Sequence, residues 1–104
     1  MNHSRIELLE KFIKEDPEDP FNYYALALEY QQTNPVKARQ LFDELLINHA
    51  EYLPVYYTAG TFYAALADES RALEILNKGV DLARRKSDQK ALRELQSAIQ
   101  NMES

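Results

Sequence analysis

The sequence predicts an all-α fold of about six antiparallel helices built from a repeated two-helix unit, and three observations carry that expectation. Apolar residues recur at three- and four-residue spacing along nearly the whole chain, the periodicity of an amphipathic helix. Five short joins containing Pro, Asp, Asn or Ser separate these runs, and joins that short make neighbouring helices antiparallel. Sliding the chain by 33 residues superposes Phe21 on Pro54, Tyr23 on Tyr56, Tyr24 on Tyr57, Leu26 on Ala59, Ala27 on Gly60 and Tyr30 on Tyr63. Past the next join the offset is 34, which matches Ala38 with Ala72 and Phe42 with Leu76.

The elements follow in order. Ser4 is placed to cap a first helix over 4–15, with Glu7 three residues on completing a capping box and Ile6, Leu9, Phe12 and Ile13 forming one apolar stripe. Pro17 and Pro20 end that helix and start the next, which runs from Phe21 to Gln32. Asn34 then caps a third, with Pro35 in its first turn and Ala38, Leu41, Phe42, Leu45 and Leu46 on its apolar side. Tyr52, Leu53 and Pro54 open a fourth helix that reaches about Ala67. Asp68 caps a fifth with its body over 71–86. Ser87 or Asp88 caps a last amphipathic segment, KALRELQSAIQNM. The expected organisation is one domain, 1–104, with repeats at about 20–49 and 53–86 and a closing helix at about 88–102.

Gly60 is one of only two glycines, yet it sits inside the fourth helix among aromatic rings. A mid-helix glycine costs about 1 kcal/mol relative to alanine. Its repeat partner is Ala27, so the position reads as a close approach of paired helices, which excludes a larger side chain. The glycine speaks of packing.

Composition narrows the function classes. A chain of 104 residues can bury roughly 65% of its extended surface, enough for a modest core. No cysteine is present, which removes disulfides, thiolate metal sites and a cysteine nucleophile. The start MNHSRIELLEKFIKED lacks the apolar run of a secretory signal, and no stretch is long and apolar enough to span a bilayer, so a cytoplasmic protein without membrane contact is expected. The net charge is −5, with ten acidic and five basic side chains in 1–52 and seven of each in 53–104. That balance disfavours nucleic acid. The basic residues Arg84, Arg85 and Lys86 stand where a helix end favours cations.

Nothing in the chain assembles a reaction centre. His49 lies at a helix end, where the dipole accounts for it, and His3 lies near the terminus. Asp16, Glu18 and Asp19 cluster in a proline-bounded turn without the alternation or glycine of a calcium loop. Glu7 with Lys11, and Glu10 with Lys14, read as exposed helix pairs. Gly60 and Gly79 are isolated, so no phosphate loop forms. The expectation is a protein that is not an enzyme and takes no cofactor and no metal.

The repeat resembles the tetratricopeptide family, whose unit is a helix, a turn and a helix of about 34 residues. The residues that carry the resemblance are Tyr23, Leu26, Ala27, Tyr30, Ala38 and Phe42 in the first repeat, with Leu45 at a place usually kept small. In the second they are Tyr56, Ala59, Gly60, Tyr63, Ala72, Leu76 and Gly79. Leu9, Phe12 and Pro17 make the first helix look like the second half of an earlier repeat. The last segment looks like a solvating cap.

The resemblance implies an α-α superhelix that binds protein through a concave groove lined by the first helix of each pair. The groove positions are Phe21, Tyr24, Leu28 and Gln31, then Pro54, Tyr57, Thr61 and Ala64. Relatives that clamp a peptide carboxylate use Lys, Asn and Arg at such positions; Tyr24, Leu28, Tyr57 and Thr61 stand there instead. An apolar peptide or helix suits this lining better. Three readings stay open: binding of a foreign protein segment, a homodimer surface in a self-associating structural or regulatory adaptor, and local packing with no free groove.

Overall fold

A computed structural model describes residues 3–103. The expected all-α class is what folds, with six helices among the described residues: α1 His3–Glu15, α2 Pro20–Tyr30, α3 Pro35–Asn48, α4 Pro54–Ala65, α5 Glu69–Arg85 and α6 Gln89–Glu103. The chain divides into two compact units, Met1–Tyr52 and Leu53–Ser104. In the first, α2 packs on both α1 and α3. In the second, α4, α5 and α6 pack on one another.

In Met1–Tyr52, Ile6 and Leu9 of α1, Leu26, Ala27 and Tyr30 of α2, and Ala38, Phe42 and Leu45 of α3 form the core. Asp19 ends the acidic turn by capping α2, its carboxylate accepting the Phe21 N–H at 3.0 Å. Asn34 caps α3 as expected, accepting the Lys37 N–H at 3.3 Å. An Arg5–Glu29 ion pair at 2.6 Å ties the start of α1 to the end of α2. Ser4 lies inside α1 rather than at its cap, because the helix already includes His3. Lys11 reaches Glu15 at 3.9 Å, not Glu7. Phe12 departs from the expected core stripe and stays exposed.

In Leu53–Ser104 the core is Val55, Tyr56, Ala59, Phe62 and Tyr63 of α4, Ala72, Ile75, Leu76 and Ala83 of α5, and Leu95 and Ala98 of α6. Gly60 marks the close approach expected of it, and Gly79 marks a second one. A Cβ on Gly60 would overlap the Leu76 side chain, lying 2.6 Å from its Cγ, and a Cβ on Gly79 would lie 2.6 Å from Tyr56 Cβ and 3.0 Å from Leu95 Cδ2. Tyr52 and Leu53 fall in the turn before α4 instead of opening it, since Pro54 supplies the first helical residue.

The joins explain the change of offset. In the first unit the Asn34 N–H returns to the Tyr30 carbonyl at 2.8 Å, four residues back. In the second the Asp68 N–H returns to Tyr63 at 3.0 Å, five back, with Ala67 between them at φ 64°. This is the helix-ending turn whose left-handed residue is usually glycine. It ends α4 at Ala65 and accommodates the one residue that moves the repeat from 33 to 34. The α5 end repeats it: Ser87 has φ 56° and the Asp88 N–H returns to Ala83 at 2.9 Å. Each time the next aspartate caps a helix, Asp68 accepting from Arg71 N–H and Asp88 from Ala91 N–H.

Candidate functional site

The groove positions fall on the two first-type helices, spaced three or four residues apart so that each set shares one face. On α2, Phe21 and Leu28 are exposed and Tyr24 is half-buried, while Gln31 stands just past the helix end as its C-cap. The ring of Tyr24 meets that of Tyr52 edge to face, with centroids 5.7 Å apart. That contact sets Tyr24 against the turn after α3. Tyr52 is a residue that repeat matching did not select, because it lies in a join. Burial, followed by the neighbouring Tyr24 and Asp19, raises the Tyr52 phenol pKa.

On α4, Pro54 and Tyr57 are exposed, and Thr61 and Ala64 are half-buried. The Thr61 hydroxyl donates to the Thr58 carbonyl at 3.1 Å. Tyr57, Thr61 and Ala64 line one cleft of about 210 Å³ with Leu76 of α5 and Ala98, Asn101 and Met102 of α6. Three of the four α4 positions are thus brought together, and α6 forms the opposite wall. The α6 contributors were missed in the sequence because α6 does not share the repeat's residue pattern. Their only signal was apolar spacing in the last helix.

On the other side of α2, Tyr23 donates from its hydroxyl to the Pro17 carbonyl at 3.0 Å, and its ring lies 5.6 Å from that of His49. Burial raises the Tyr23 pKa, and the carboxylates of Glu44 and Glu18 add to the effect. His49 serves as the C-cap of α3, its backbone N–H bonded to the Leu45 carbonyl. A further feature recurs in both repeats. Lys37 lies over the Tyr30 ring at 5.2 Å, and Arg71 lies over Tyr63 at 5.6 Å, a cation resting on the second tyrosine of each motif. Among the described residues no three His, Cys, Asp or Glu side chains gather to hold a metal ion. None of the described helices is long and apolar enough to cross a membrane.

Two-helix units repeated at a near-constant interval, with small residues at the helix contact and tyrosines on the first helix, define an α-helical repeat protein. Two solved structures agree. The crystal structure of a tetratricopeptide repeat domain protein from Salinibacter ruber is 37% identical, covers 82% of this chain and 96% of its own, and gives a TM-score of 0.76. A solution NMR structure of a tetratricopeptide repeat domain protein from Salinibacter ruber is 39% identical, with 85% and 90% coverage and a TM-score of 0.79. The chain belongs to the tetratricopeptide repeat family. No family model matches it, and no curated protein does.

Proposed function

We propose that this chain is a non-enzymatic protein-interaction module of the small bacterial type, cytoplasmic, binding an apolar peptide or helix and neither nucleic acid nor membrane. The family and fold are consistent with an interaction role. The observation that carries the finer reading is the exposure of Phe21, Leu28 and Tyr57 at groove positions, large apolar side chains left in water on first-type helices. Tyr24 and Gln31 accompany Phe21 and Leu28 on α2 and just past its end, and Pro54, Thr61 and Ala64 accompany Tyr57 on α4. Tyrosine suits such a role because it offers large rigid area with a polar tip.

The test is to select helical peptides from a displayed library on the wild-type chain and titrate them against Leu28→Glu and Tyr57→Ala. Both substitutions fall on exposed side chains, so melting should be unchanged. Loss of at least tenfold in affinity in each variant is expected; peptides that bind both variants as tightly as wild type would overturn the assignment. A second reading, a self-associating adaptor, is favoured by apolar residues on α1 that belong to neither groove set.

A further inference from the structure

The internal register makes α1 a second-type helix. Stepping back by the repeat puts Leu8 at the place of Leu41 and Ile75, Leu9 at that of Phe42 and Leu76, and Phe12 at that of Leu45 and Gly79. In α3 and α5 this side is turned to a first helix: Ile75 is 1% exposed, Leu45 is 0% with Leu41 half-buried, and Gly79 abuts Tyr56 of α4. In α1, Leu8 is 47% exposed and Phe12 is 38%. Leu8 and Phe12 share a helical stripe with Arg5, whose bond to Glu29 sets that stripe beside α2. Among the described residues no first-type helix is laid over it.

The reverse holds for α6. It follows α5 in the place of a first-type helix and packs on both α4 and α5 through Leu95 and Ala98. Its Leu92 and Ile99, two turns apart, remain half-exposed, and Ile99 borders a shallow hollow with Gln96, Gln100 and Glu103. No second-type helix among the described residues is paired with that face.

We propose that α6 of one copy lies along α1 of a second copy, completing one helix pair in trans; this rests on the interaction reading and names its partner. Charge fixes the direction. Within a pair, the start of the first helix is level with the end of the second, as the Tyr23–His49 contact shows. In the register His49 corresponds to Asp16. The start of an incoming α6, where exposed Lys90 and Arg93, with Lys86 in the join before it, outnumber Asp88 and Glu94, therefore arrives level with exposed Glu15, Asp16 and Glu18, which outnumber Lys11 and Lys14. Opposite charges meet in the antiparallel arrangement and separate in the parallel one. Two different surfaces join, so the contact is heterologous and propagates into rings or open chains.

The test is molar mass by light scattering over a concentration series, on wild type, Phe12→Glu and Ile99→Glu, with Leu8→Glu and Leu92→Glu as second variants of each face. Helical circular dichroism and melting confirm that each variant is folded. Wild type is expected to rise above the 12.1 kDa chain mass and to fall back in high salt. Each variant alone should stay monomeric. An equimolar mixture of the two kinds should stop at twice the chain mass, because each keeps the one face the other has lost. A wild type that stays monomeric up to about 1 mM, well above an ordinary micromolar affinity, or a mixture that does not dimerise, overturns the inference. If display-selected peptides still bind through Leu28 and Tyr57 in that case, the groove stands and only the trans pairing fails.

Discussion

In Met1–Tyr52 the second helix of the pair carries Leu45, fully buried, where Leu53–Ser104 has Gly79 with no side chain at all. On the first helix of the pair the first unit has Ala27 where the second has Gly60, which abuts Leu76. One repeat thus fills its contact with side chains, while the other brings backbones together and lets Tyr56, Leu76 and Leu95 occupy the space. The charge divides along the same boundary, since the whole excess of acidic side chains lies in 1–52. A repeat period therefore specifies where helices meet and leaves open how closely.

Core truncation and overpacking separate the two solutions. Leu45→Ala should cost about 2–5 kcal/mol by urea denaturation, because a fully buried leucine leaves a cavity. Gly79→Ala should cost about 1–3 kcal/mol, since the added methyl meets Tyr56 Cβ, which moves only with the α4 backbone. Gly60→Ala should cost less, because its obstacle is the Leu76 side chain, which can turn aside, whereas the helix propensity regained, about 1 kcal/mol, is the same at both sites. If Gly60→Ala proved the more damaging of the two, the assignment of rigid and yielding neighbours would be wrong.

The left-handed joins belong to the second unit alone among the described residues, and they offer a gain. Ala67→Gly and Ser87→Gly should each stabilise by about 0.5–1 kcal/mol, the relief of about 1–2 kcal/mol of steric cost less the chain entropy of glycine. Thermal midpoints would show it. An unchanged or lower midpoint would mean that the side chains make contacts worth more than the strain.

The smallest effect expected is alkaline and confined to the first unit. Tyr23 and Tyr52 hold their protons more tightly folded than unfolded, so their contribution is complete below the ordinary phenol pKa of 10.0 and lost as pH rises through the raised values. Tyr23→Phe and Tyr52→Phe should flatten the loss of stability between about pH 9.5 and 11.5, the range in which phenols titrate. A profile as steep as wild type in both would assign the alkaline loss elsewhere.

The fold was legible because its signals repeat. Tyr30 and Tyr63, Ala38 and Ala72, and Phe42 and Leu76 are each read twice, and the caps Asn34 and Asp68 announce themselves by residue type. What escaped is what occurs once. Phe12 fits an amphipathic stripe, yet it is exposed, and among the described residues no helix covers it. The contact of Tyr52 with Tyr24 joins a turn to a helix, and the α6 wall beside Tyr57 pairs a repeat helix with one outside the repeat; neither has a partner copy to reveal it. The cations over Tyr30 and Tyr63 do repeat, but the chemistry of lysine or arginine on a helix surface looks the same whether or not a ring lies beneath.

Ala67 also bears on how such chains change length. A residue added at the end of α4 is absorbed by a reversal of backbone hand, and the cap at Asp68 restarts the next helix at once. The insertion never propagates into the helices as a rotation of their apolar faces. Such a join works as an expansion gap: repeats of unequal length can follow one another in a single chain without either losing its register.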